Sequence, residues 1–97
     1  MAWAALAGGA PFSLAAPTVH AVRIEGMRFV PETLTVHRGD RIVWTNRDLV
    51  PHTVTQQAFD SHALAPQASW SYVAGKPGTY AYHCTSHPTM VGTLVVQ

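Results

Sequence analysis

Close to the C-terminus the stretch Tyr80 to Met90, YAYHCTSHPTM, places the only cysteine of the chain, Cys84, three residues before His87 and six before Met90. Thiolate, imidazole and thioether thus share one short segment. Thiolate and thioether together favour copper in its reduced state, and two imidazoles, one thiolate and a long axial thioether form the trigonal site used for one-electron transfer. The second imidazole must come from elsewhere. Pro51-His52, ahead of the β-like run Thr53 to Thr55, supplies it from 32 residues upstream of Cys84. It can meet the loop only if the fold brings two strand ends together, which a Greek-key sandwich does readily. The candidate ligand set is His52, Cys84, His87 and Met90.

Simpler readings compete with this one. A lone buried Cys is commonly a small core hydrophobe, and Met is a common gap filler. The C-x-x-H-x-x-M spacing, set between an aromatic β run and another strand, is hard to produce from packing needs alone. Zinc could use Cys84 with two histidines, but structural zinc takes four Cys or His ligands and a thioether serves it poorly. His20, His37 and His62 read as surface residues by their type. No H-x-H pair, nucleophile triad or phosphate loop occurs, so one copper and no catalysis are expected.

The elements that must hold these ligands are short. Ninety-seven residues, 47% hydrophobic, fill one small core. Only 11% are charged, for a formal net charge of +1, which lacks the basic stripe that binds nucleic acid through phosphates. One cysteine cannot form an internal disulfide, so core packing and a metal must hold the fold. Residues 1–17 begin with the uncharged MAWAALAGGAPFSLAA, read as the remnant of a secretory signal or as a disordered N-terminal extension. Its sixteen residues fall short of the roughly 17 to 25 that cross a bilayer, so no stable membrane insertion is expected.

From residue 18 to 97 the texture is all-β, in runs of Val, Ile, Thr and aromatics broken by Gly, Pro and Asp. Strands are expected at Val19 to Ile24, Leu34 to Val36, Arg41 to Asn46, Thr53 to Thr55, Ser69 to Tyr72, Tyr80 to Cys84 and Val91 to Val96. Gly26 marks a bend or bulge, with Met27 and Phe29 continuing the apolar alternation. Residues 56–67 read as loop with Phe59 as its core anchor, and Pro88 as a bar to regular pairing. About seven to eight strands at this spacing make a sandwich. Because side chains alternate along a strand, Tyr80, Tyr82 and Cys84 share the inward face.

The residues WTNRDLVPHTV, GTYAYHCTSHPTM and the closing VGTLVV resemble the cupredoxins, in their amicyanin and plastocyanin-like branch, over roughly Val19 to Gln97. The resemblance implies a Greek-key β-sandwich with one type 1 copper, a periplasmic or otherwise exported location, and single-electron shuttling between redox partner proteins by a monomer. The alternative is a copper protein for storage or delivery. Partners would dock on an apolar patch of Val50, Pro51, Pro88 and Met90 around His87, the solvent-edge ligand. Two departures from the family pattern stand out. Thr53 replaces an Asn after the upstream His and is expected to bond across the ligand loops by its hydroxyl. Ser86 replaces a Pro before His87, freeing a backbone N–H near the sulfur.

Overall fold

The computed structural model describes residues 16–97, so the reading of the N-terminal segment as signal or extension lies, save its last two residues, outside the described residues. Among the described residues nine strands form: β1 (Val19–Ile24), β2 (Phe29–Val30), β3 (Thr33–Val36), β4 (Arg41–Asn46), β5 (Thr55–Gln56), β6 (Phe59–Asp60), β7 (Ser69–Val73), β8 (Gly78–Cys84) and β9 (His87–Val96). They build two sheets, β2-β1-β4-β7 and β3-β9-β8-β5-β6. The chain passes repeatedly from one sheet to the other, which leaves β1 parallel to β4 and β3 parallel to β9. The all-β sandwich is as expected.

Alternation drives the packing. In β4, Ile42, Trp44 and Asn46 are buried while Val43 and Thr45 are half-covered. Val22 and Ile24 of β1 and Leu94 and Val96 of β9 close on the same core. Trp44 is fully buried at its centre, and its Nε1–H donates to the Tyr82 hydroxyl at 3.2 Å. A buried indole and phenol each need a polar partner, and these two supply each other. Phe29 meets the edge of Tyr82 with ring centroids 4.7 Å apart. Burial raises the pKa of the Tyr82 phenol, keeping it neutral. Trp70 and Tyr72 are half-buried against the core and stack on each other.

The differences from the sequence reading have local causes. Gly26 and Met27, both at positive φ, form a tight hairpin turn between β1 and β2, so Met27 belongs to no strand. Of the run Thr53 to Thr55 only Thr55 enters a strand, because His52 instead bridges Leu64 by backbone bonds. That bridge and β6 give structure to a segment read as loop. Pro88 falls within the span of β9, in an irregular part of it without a partner on β8, so regular pairing is interrupted there as expected.

Two expectations about stability follow. Gly92 pairs with Tyr82 across β8 and β9, and a Cβ at Gly92 would lie 2.4 Å from the Tyr82 ring. Tyr82 is held by Trp44 and Phe29 and cannot yield. Gly92→Ala is expected to lower unfolding free energy by about 1–3 kcal/mol, measurable by denaturant titration of the copper-free protein. Asp40 accepts N–H bonds from Thr18 and His37 and from His20 Nε2, each at 3.0 Å. These bonds, that of Thr18 foremost, bring its pKa from 3.8 down to about 2. The unfolded chain therefore takes up the proton first. The stabilisation is complete above the ordinary carboxylate range and is lost as pH falls through 3.8 towards about 2. Asp40→Asn should flatten that part of the stability profile in acid titrations followed by circular dichroism.

Candidate metal centre

Cys84 is the last residue of β8, and alternation from Tyr82 turns it inward, where it is fully buried. A two-residue turn at 85–86 returns the chain so that His87, opening β9, pairs directly with Cys84. The next pair is His83 with Val91, so residues 88–90 of β9 have no partner on β8. This bulge accommodates Pro88, which has no N–H to contribute to a ladder. It also turns Met90 inward, 4% exposed, and leaves Val91 outside.

His52 arrives from the other side, on the connection after β4, and is 1% exposed. Its backbone exchanges N–H···O bonds with Leu64 at 3.2 and 2.7 Å. His52 Nδ1 lies 3.7 Å from Cys84 Sγ, and His87 Nδ1 lies 3.6 Å from the same sulfur. The three donor atoms all fall within 4.8 Å of one another, the one such cluster of His, Cys, Asp and Glu among the described residues. A metal bonded to thiolate at about 2.3 Å and imidazole at about 2.0 Å, with a trigonal angle between them, would hold S and N about 3.7 Å apart. The donors therefore fit a metal in a trigonal arrangement, and their softness fits copper.

Hydrogen bonds from both sides hold the donors. His52 Nε2–H donates to Asp48 Oδ2 at 2.9 Å, which leaves the Nδ1 lone pair facing the sulfur. Burial pushes the Asp48 pKa up, but bonds from Met27 and Gly26 N–H and from His52 outweigh it and hold the carboxyl below its ordinary range. Thr53 N–H donates to Cys84 Sγ at 3.3 Å. Its hydroxyl oxygen accepts the Thr85 N–H at 2.9 Å and lies 3.3 Å from the Thr85 hydroxyl. The cross-loop role expected of Thr53 is thus present, and Thr53 also supplies the backbone donor to sulfur. Among the described residues no such bond comes from Ser86.

His52, Cys84 and His87 converge as the sequence suggested, and Met90 is buried in β9, three residues after His87. Met90 cannot belong to an exposed patch, however, since the bulge turns it inward. Leu49, 89% exposed beside Val50 and Pro51, was not anticipated for that surface. Asp48 and Asn46 were also missed. Asn46 is fully buried, donates Nδ2–H to the carbonyls of Val50 and Leu64, and accepts the Asp48 N–H. The pattern N-R-D between a strand and a Pro-His pair was the available signal, because Asn and Asp bond to nearby backbone N–H groups.

A family model described as a cupredoxin-like domain matches residues 1–96. The chain is 34% identical to amicyanin of Paracoccus denitrificans over 83 residues, covering 78% of this chain and 63% of that protein. Plastocyanin of Prochlorothrix hollandica is 29% identical, covering 71% and 63% respectively. The chain therefore spans somewhat less than two thirds of the length of these relatives. Among solved structures, a Cu(I) form of an amicyanin mutant superposes with a TM-score of 0.77 at 31% identity, covering 86% of both chains.

The Thr53 bridge yields a direct expectation. Thr53→Val removes the hydroxyl acceptor of the Thr85 N–H while keeping the backbone donor to sulfur. Because residue 85 is exposed and its N–H can turn to water, the loss should be modest, about 0.5–1.5 kcal/mol, read from urea unfolding of the copper-free protein.

Proposed function

The chain belongs to the cupredoxin-like family, in its amicyanin and plastocyanin branch, and on that premise we propose that it carries single electrons between redox partner proteins. Its cofactor is one copper ion of the type 1 class. In this reading the ligands are His52 Nδ1, Cys84 Sγ, His87 Nδ1 and the Met90 thioether. The observation that carries it is the pair of N···S separations, 3.7 and 3.6 Å, which suits a trigonal metal. Bound copper supplies a one-electron couple between Cu(II) and Cu(I).

The protein's own part is to hold the donors still and dry. His52, Cys84 and Met90 are buried, so water is kept from three sides of the site. His87 alone is half-exposed, which makes its ring the exit for the electron. Around it the exposed Leu49, Val50, Pro51 and Pro88 form the apolar docking surface. The formal charge of +1 leaves little long-range steering, so docking depends mainly on apolar burial and changes little with salt. The buried ligands speak against copper delivery, which needs an exchangeable, exposed site. The protein is read as an exported, periplasmic monomer without catalytic activity of its own. No helix among the described residues is long and apolar enough to cross a membrane.

The test is a visible and EPR spectrum after one equivalent of Cu(II). An intense charge-transfer band with narrow copper hyperfine splitting is expected, and an ordinary tetragonal copper spectrum would overturn the reading. Cys84→Ser should abolish the band. Met90→Leu should keep it and shift the reduction potential, since the axial ligand tunes that potential.

A further inference from the structure

His52 sits on a connection between strands, not in a ladder that would orient its side chain. Rotation of its imidazole would exchange Nδ1 for Nε2 at the centre. What opposes that rotation is the carboxylate of Asp48. Its Oδ2 accepts His52 Nε2–H at 2.9 Å and Met27 N–H at 2.9 Å, and its Oδ1 accepts Gly26 N–H at 2.8 Å. One side chain therefore ties a buried imidazole to the turn between β1 and β2.

That turn is itself unusual. Gly26 and Met27 have φ of 66° and 60°, the left-handed pair of a two-residue hairpin turn, in which Asn and Gly are the usual occupants. Met27 carries a Cβ into a region that such residues rarely adopt, and a conformation of this kind persists when surrounding contacts over-determine it. The two N–H bonds to Asp48, with Glu25 N–H donating to the Arg28 carbonyl at 2.9 Å, supply those contacts. Asp48 is in turn anchored through its own N–H to buried Asn46.

We propose that Asp48 is a positioning residue for the metal centre, a latch that joins the Gly26–Met27 turn to His52 and holds the imidazole with Nδ1 directed at Cys84 and His87. This rests on the reading of His52 as a copper ligand. A carboxylate on the far nitrogen fixes the tautomer and makes the imidazole a stronger donor, and loss of such partners commonly lowers metal affinity 10- to 100-fold. Its negative charge also favours the more positive oxidised metal, so removing it raises the reduction potential.

The experiment compares wild type with Asp48→Asn, Asp48→Ala and, as a control away from the centre, Asp60→Asn. Three quantities are measured: the His52 tautomer in the copper-free protein by long-range proton–nitrogen NMR, Cu(I) affinity by competition with a chromophoric chelator, and the reduction potential by voltammetry. Wild type and Asp60→Asn should show a single Nε2–H tautomer. Asp48→Ala should mix tautomers, lose about 10- to 100-fold in Cu(I) affinity and gain potential. Asp48→Asn, which keeps the shape and one acceptor oxygen, should fall between them and serves if the Ala variant does not fold. Wild-type tautomer, affinity and potential in both variants would overturn the latch. A lowered melting temperature with an unchanged tautomer and potential would overturn it too, by reducing Asp48 to a structural role. A wild-type protein that takes up no copper would defeat the ligand assignment instead, and the tautomer comparison would still decide the latch.

Discussion

The sulfur of Cys84 is fully buried where separately folded segments meet, and the rest of the molecule has to satisfy that position. Burying such a donor atom without partners is costly. Here it faces the Thr53 N–H and two imidazole nitrogens. None of these groups comes from β8 itself. The sandwich must therefore bring the 52–53 connection and the start of β9 to the end of β8.

Two devices do this, one for each histidine. His87 is held by strand pairing, because it lies opposite Cys84 in the ladder of β8 and β9. Its place is set by backbone geometry over a turn of two residues. His52 has no ladder, only a bridge to Leu64, and its position is set by a chain of polar side chains. Asn46 fastens the connection to Val50 and Leu64 and receives Asp48, which receives the imidazole. Polar networks of this kind serve well only when every member is satisfied. Among the described residues no buried side-chain nitrogen or oxygen is left without a partner.

The core beneath has its own version of the same economy. Trp44 and Tyr82 bury two large rings, and the Trp44 N–H finds its acceptor in the Tyr82 hydroxyl. Tyr82 shares its strand face with Cys84. Gly92 leaves the space for the Tyr82 ring. Its role is one of close approach and not of backbone conformation.

The all-β class, most of the longer strands and the candidate donors could be read from residue types and spacing, because each rests on local chemistry: alternation for Ile42 and Trp44, donor softness for Cys84, His87 and Met90. Short elements were not legible. Strands β2, β5 and β6 have two residues each, too few for alternation to show, and pairing partners alone create them. The bulge at Pro88 was hidden because a proline signals only that a ladder bond is missing, not that the strand continues past it. Asp48 looked like a turn residue, which it is. Only the tertiary structure decided that its carboxylate would reach both the Gly26–Met27 turn and His52, since contacts across 21 or 22 residues depend on the parallel pairing of β1 with β4, which sets Ile24 beside Asn46. The sequence by itself determined which atoms could bind a metal, through their chemistry; the fold decided their separation, exposure and supporting bonds, because those depend on long-range pairing that no local pattern encodes.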